Sequence, residues 1–166
     1  MKISIDQISA LVFDFDGVLT DNSVYLNDKG TEWVKCNRGD GLAFKDLNEL
    51  GIKSFIISSE KNKVVLTRAK KLNIPAIIGV SDKVEALKEL CFKENLELSR
   101  ILYIGNDLND LRAMLICGYS ACPNDSHPKI KEIATFLLKK EGGSGIVREL
   151  LEEILNIDVA SALYSD

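Results

Sequence analysis

Ala10-Leu11-Val12-Phe13-Asp14-Phe15-Asp16-Gly17-Val18-Leu19-Thr20-Asp21 runs four apolar residues of strand length straight into two aspartates and a glycine. The same event recurs along the chain. Lys53 to Ile57 ends on Ser58 and Ser59, Ala76 to Ile78 is followed by Asp82-Lys83, and Ile101 to Ile104 precedes Asn106-Asp107 with Asp110. A weaker run spans Tyr119 to Cys122. Between most of these runs the apolar residues take helical spacing. Leu42, Phe44, Leu47 and Leu50 mark the first such segment; Val64, Val65, Ala69 and Leu72 mark the second. Val84, Leu87, Leu90 and Cys91 mark the third, and Leu108, Leu111, Met114 and Leu115 the fourth. Strands alternating with helices predict an α/β fold, a Rossmann-like parallel sheet with helices on both faces. In open sheets of this kind ligands bind beyond the carboxyl ends of the strands. Four strand ends therefore bring carboxylates, a hydroxyl, an amine and an amide to one rim.

One segment interrupts the alternation. Val24 to Leu26 and Glu32 to Lys35 flank the turn-forming Asn27-Asp28-Lys29-Gly30 and read as a small β-hairpin inserted after the first strand, placed to overhang the rim. Gly142-Gly143-Ser144-Gly145 reads as a flexible lead into a last helix from about Gly145 to Leu155, followed by a tail to Asp166. The 166 residues fit a single domain, 1–166, large enough to bury a core without disulfides or metal staples. A net charge of -4 offers no general attraction to nucleic acid or to an anionic membrane. Cys36, Cys91, Cys117 and Cys122 form no C-x-x-C pair, and with His127 alone no zinc set is spaced for binding, so reduced thiols are expected. Met1 to Ala10 lacks the charged and apolar blocks of a leader, and no segment approaches the ~18 apolar residues of a membrane span. A cytoplasmic protein is the expectation.

Each strand-end residue has an ordinary reading as well. Aspartates after a strand cap turns, a serine there caps a helix, and a lone lysine is solvated. Their order after successive strands is what argues for a site. A carboxylate attacks phosphorus once a cation offsets the repulsion between two anions, and the acyl phosphate so formed hydrolyses readily.

The octapeptide Asp14 to Asp21 resembles the first motif of the haloacid dehalogenase superfamily, whose phosphatases carry D-x-D-G-x-x-x-D or a close variant after a strand. The resemblance implies a haloacid dehalogenase fold in which Asp14 is the nucleophile and a Mg2+ ligand. It implies that Asp16 protonates the leaving alcohol, then activates water, and binds the metal through its main-chain carbonyl. Ser58 matches the second motif, a hydroxyl on the transferring phosphoryl, and Lys83 the third, an amine that offsets charge on phosphoryl and nucleophile. Gly105-Asn106-Asp107-Leu108-Asn109-Asp110 matches the fourth, usually G-D-D-x-x-D, with Asn106 in place of an acid. An amide oxygen can ligate Mg2+ with one less negative charge, which implies weaker affinity. Asp107 is the alternative third ligand, and Asp110 can orient ligands or waters.

Only about twenty residues separate Asp16 from the first helix and about twenty-five separate Ser58 from Lys83, so neither gap holds a cap domain. Within the superfamily the chain is similar to the phosphatases of 3-deoxy-manno-octulosonate 8-phosphate and of related nine-carbon 2-keto sugar acids. Gly30-Thr31-Glu32-Trp33, Asn37-Arg38-Gly39-Asp40-Gly41 and Gly142 to Glu149 carry that similarity. It implies a Mg2+-dependent phosphomonoesterase for a sugar-acid phosphate in lipopolysaccharide, capsule or sialic-acid synthesis. It also implies a homotetramer built on the hairpins, with the glycine-rich segment of one subunit reaching the site of another. Glu60, Arg68, Lys71 and Arg148 are the expected substrate-binding residues, Glu60 and Lys71 leaning toward a nine-carbon substrate. The alternative, suggested by Asn106, is a catalytically weak oligomerisation module that accompanies a sialic-acid cytidylyltransferase.

Overall fold

The computed structural model describes residues 2–157; Met1 and the predicted tail to Asp166, and with them the two ends of the predicted 1–166 domain, lie outside the described residues. The chain runs β1 (Ala10–Phe13), β2 (Thr20–Leu26), β3 (Glu32–Cys36), α1 (Arg38–Glu49), β4 (Lys53–Ile57), α2 (Val64–Leu72), β5 (Ala76–Ile77) and α3 (Lys83–Glu94). It continues through β6 (Ile101–Ile104), α4 (Leu111–Ile116), β7 (Tyr119–Cys122), α5 (Pro128–Ile133), β8 (Phe136–Leu137) and α6 (Ile146–Glu149), which leads into a π-helical turn, Leu150–Ile154. Six strands pair in parallel in the order β5-β4-β1-β6-β7-β8. The chain builds outward from β1 through β4 to β5, then returns to the other side of β1 with β6. That reversal opens a crevice at the carboxyl ends of β1 and β6, where Asp14 and Asn106 follow.

Alternation along β1 explains why its whole run is apolar. Leu11 and Phe13 face α1, α2 and α6, where they meet Phe44, Leu47, Val65, Val147 and Leu151. Ala10 and Val12 face α3, α4 and α5, beside Tyr103, Leu87, Met114 and Ile130. A sheet buried on both sides needs side chains of this kind at every position, each worth about 1.5–3 kcal/mol when fully buried.

The structure departs from the sequence reading in several places. Leu42 and Leu50 are 47% and 51% exposed. Helix α1 does turn Phe44 and Leu47 inward as read, but joins them with Asp40, Ala43 and Asp46 rather than Leu42 and Leu50, because Phe44 packs edge-on against Phe13 with ring centroids 5.1 Å apart. Leu108 lies before α4 rather than on it. Helix α5 and strand β8 are too short for a readable period. The hairpin is a separate two-stranded sheet of β2 and β3 with an irregular register near Thr20 and Val24. Asn62 Nδ2 donates to Glu32 Oε2 at 2.7 Å, which ties the hairpin to the loop after β4. The glycine-rich segment is docked on its own chain: Gly142 N–H donates to Asp125 Oδ1 and Gly143 N–H to the Val18 carbonyl, both at 3.0 Å. All four cysteines are free, as expected.

Candidate active site

The Asp14 N–H donates to the Ile104 carbonyl at 2.9 Å, so the β1 ladder extends one residue past the strand. By alternation, position 14 falls on the face of Ala10 and Val12, toward α3. There Lys83, the first residue of α3, places its Nζ 2.8 Å from Asp14 Oδ1 and 2.7 Å from Asp110 Oδ1, with all three side chains buried. The start of α3 is fixed by its cap: Asp82 Oδ1 accepts from the Val84 N–H at 2.8 Å and the Glu85 N–H at 3.4 Å. Asp110 is the hub of this cluster. Its Oδ1 also accepts from the Tyr103 hydroxyl at 3.0 Å, and its Oδ2 accepts from the Asn106 N–H at 3.0 Å and the Asp107 N–H at 3.4 Å.

One ammonium between two buried carboxylates leaves an unbalanced negative charge. Burial and then the Asp110 carboxylate push Asp14 up to about 7, against the pull of Lys83. Burial works against the Lys83 ammonium, yet Asp14 and Asp110 together outweigh it and its pKa is raised. An added cation beside Asp14 would relieve the imbalance.

Asp14, Asp16, Ser58, Glu60, Asn106 and Asp107 line one cleft of about 460 Å³ at the carboxyl ends of the strands. Lys83 approaches from a smaller adjoining recess of about 180 Å³ that shares Ser59, Leu108 and Asn109 with the cleft. Asp16 is raised, first by burial, with the Thr20 hydrogen bond opposing and the Glu60 charge adding. Ser58 is buried and its Oγ accepts from the Glu60 N–H at 3.2 Å. Glu60 Oε1 in turn accepts from the N–H groups of Lys61 and Asn62 at 2.6 and 2.8 Å.

Among the described residues no three His, Cys, Asp or Glu side chains form a group able to hold an ion by themselves. The donor set at the cleft is mixed, carboxylates with an amide. Asn106 Oδ1 is buried and has no hydrogen-bond partner, an arrangement that folding disfavours unless something fills it. A bound divalent cation satisfies that oxygen and the excess negative charge together, so the residues present fit the metal.

Three predicted substrate-binding residues stand apart from the cleft within one chain. Arg68 Nη2 donates to the Asn37 carbonyl at 2.7 Å. Lys71 borders a separate hollow between α1 and α2, with Lys45 and Asn48. Arg148 Nε pairs with Glu152 at 2.9 Å on the outer side of the last helix. Two residues that the sequence did not single out join the site. Thr20 Oγ1 donates to Asp16 Oδ1 at 3.3 Å and accepts from the Gly17 N–H at 3.2 Å. Tyr103 was hidden inside an apolar strand run; its hydroxyl, a polar atom in a doubly buried strand, was the available signal.

A parallel sheet in this order, with an acidic pair after its first strand and a buried lysine on the first acid, is the arrangement of one hydrolase class. Residues 27–150 match the haloacid dehalogenase-like hydrolases, and the chain belongs to that family. It is a phosphatase of the family, and between its first strand and α1 the described residues hold only a hairpin, no cap domain. The chain is 34% identical to the 3-deoxy-D-manno-octulosonate 8-phosphate phosphatase of Yersinia pestis over 149 residues, 89% of this chain and 80% of that one. The crystal structure of the Moraxella catarrhalis phosphatase of the same name, in complex with magnesium, phosphate and its sugar acid, superposes with a TM-score of 0.89 at 33% identity, covering 97% of this chain and 95% of that one. The cobalt-bound enzyme of Haemophilus influenzae gives a TM-score of 0.88 at 27% identity, covering 98% and 95%.

Proposed function

We propose that this phosphatase removes the terminal phosphate of an eight- or nine-carbon 2-keto-3-deoxy sugar acid, 3-deoxy-manno-octulosonate 8-phosphate or a nonulosonate 9-phosphate. The observation that carries the chemistry is the Lys83–Asp14 contact of 2.8 Å at the wall of a cleft that also holds Asp16. Asp14 Oδ attacks phosphorus and forms the aspartyl phosphate as the ester bond to the sugar breaks. Asp16, whose hold on its proton is strengthened by burial, gives that proton to the leaving alcohol and then takes one from the attacking water. Ser58 donates to a phosphoryl oxygen. Lys83 holds its charge against Asp14 and the phosphoryl group, anchored from behind by Asp110. Asp14, the Asp16 carbonyl and Asn106, with Asp107 as the alternative, would hold Mg2+, which when bound would supply charge stabilisation for the transferring phosphoryl group.

The sugar-acid assignment rests on the relatives above, one of which binds the eight-carbon acid with magnesium and phosphate. Glu60 in the cleft leans toward a nine-carbon substrate. A homotetramer accords with the hairpin, where Val24, Tyr25, Leu26 and Trp33 all stand more than half exposed. In such an assembly Lys71 and Arg148, which do not line the cleft of their own chain, could serve a neighbouring one, Arg148 by leaving Glu152. The assignment is tested by incubating purified protein and Mg2+ with a panel of sugar phosphates and an aryl phosphate. One of the two sugar-acid phosphates is expected to exceed hexose 6-phosphates in kcat/KM by about 10²-fold or more, the discrimination that several polar contacts provide. Equal turnover across the panel rejects the substrate class. No turnover of any ester, the aryl phosphate included, favours the oligomerisation module.

A further inference from the structure

We infer that Asp40 is a positioning residue for Asp16, acting through the glycine-rich segment 142–145; this rests on the reading of Asp16 as the acid and base of the site. Helix α6 begins after Gly145, which has no side chain to cap it. The cap comes from far away in sequence. Asp40, on α1 and 2% exposed, accepts the Val147 N–H on its Oδ1 at 3.0 Å. A carboxylate at a helix N-terminus satisfies free N–H groups and the helix dipole together.

What that cap holds in place is the back wall of the catalytic loop. Gly143 N–H donates to the Val18 carbonyl at 3.0 Å. A Cβ on Gly142 would lie 2.2 Å from the Gly17 carbonyl oxygen, and one on Gly143 would lie 2.5 Å from the Asp21 nitrogen. Only glycine permits this backbone-on-backbone contact. On its other side Gly17 is pressed by Asn106, whose Nδ2 would be 1.9 Å from an added Cβ. The loop that carries Asp16 is therefore clamped between the end of β6 and the glycine segment. Thr20 passes the clamp to the acid: its carbonyl lies against Gly142 and Gly143, and its hydroxyl donates to Asp16 Oδ1. Displacing the segment shifts Thr20, and with it the carboxyl that must meet the leaving oxygen.

The test compares Asp40→Ala, Asp40→Asn, Gly142→Ala and the core control Ile101→Ala, which lies at the opposite end of the sheet. kcat and KM are measured on an aryl phosphate at saturating Mg2+, with Tm alongside. Asp40→Ala is expected to lower kcat by about tenfold or more with little change in KM, since misplacement of a reacting group by about 1 Å costs up to about 10²-fold. Asp40→Asn, whose amide oxygen still accepts from Val147, should recover most of the rate, and Ile101→Ala should keep its kcat despite a lower Tm. If Asp40→Ala does not fold, Gly142→Ala is expected to show the same fall in kcat with little change in KM. An unchanged kcat in the folded variants, failure of Asn to rescue, or a rate loss in Ile101→Ala equal to that at equal Tm would overturn the inference. Asp16→Asn, run in parallel, separates this from the underlying reading: full activity there removes the acid/base role itself, whatever Asp40 does.

Discussion

Asp14, Asp110 and Lys83 share one buried charge balance, and single substitutions at this scale have opposite signatures. Asp14→Asn keeps the shape and removes the proposed nucleophile, so turnover should vanish while the circular dichroism spectrum and Tm hold; substantial residual turnover would exclude Asp14. Lys83→Ala leaves two buried carboxylates without their cation. It should lose about 3–5 kcal/mol of stability in urea unfolding as well as the rate. Asn106→Asp adds a carboxylate beside Asp14 and Asp16. Without Mg2+ the variant should melt below the parent protein, whereas saturating Mg2+ should raise its Tm more than the parent's and half-maximal rate should need less metal. A Mg2+ response identical to the parent's would transfer the third ligand to Asp107.

At the scale of elements, the decisive contacts join a helix or strand end to a loop far away in sequence. Asp40 shows this in its titration. Burial raises its carboxyl to about 6 from an ordinary 3.8, opposed by the Val147 N–H and by the charges of Arg68 and Lys140 that face it. Because the folded state holds the proton more tightly, this group's stabilisation is complete below the unfolded value and is lost as pH rises through the folded one. The span of about two pH units corresponds to about 3 kcal/mol. Urea unfolding between pH 4 and 7 should therefore show a slope that Asp40→Asn removes; an identical slope in both proteins would mean that Asp40 titrates normally. Gly17→Ala belongs to the same scale. Its φ of +75° and its contact with Asn106 admit no Cβ, so a loss of about 1–3 kcal/mol is expected in unfolding experiments.

For the whole molecule, the question is what completes a cleft that opens at the rim of a sheet without a cap. Three of the four residues expected on the substrate lie away from their own chain's cleft, and the hairpin carries four exposed large apolar residues. If the proposed tetramer is built on the hairpin, Trp33→Glu should lower the sedimentation coefficient to that of a smaller species; an unchanged sedimentation profile would free the hairpin from any role in assembly. Mixing inactive Asp14→Asn protein with inactive Arg148→Ala protein should restore sugar-phosphate turnover once subunits exchange. If verified exchange leaves the mixture inactive, the Arg148 contribution across subunits is lost as an idea.

Local pattern determined the layers of this protein and the rim on which its polar groups meet. An apolar run ending in Asp14, Ser58 or Asn106 reports a buried parallel strand and its carboxyl end, because a strand covered on both faces tolerates no polar residue until it emerges. The hairpin was legible for a similar reason, its turn residues being set by backbone geometry over a few positions. Tertiary structure alone decided the rest. Which face α1 turns inward depends on Phe13 meeting Phe44, not on the period of Leu42 and Leu50. Asp110 and Tyr103 became partners of Lys83 only when β6 was laid beside β1. The glycines at 142 and 143 read as slack in the sequence, yet in the fold they pack backbone on backbone against the loop from Gly17 to Asp21. Contacts between distant segments leave no periodic trace, since each is fixed by the packing of two whole elements rather than by the order of residues within one.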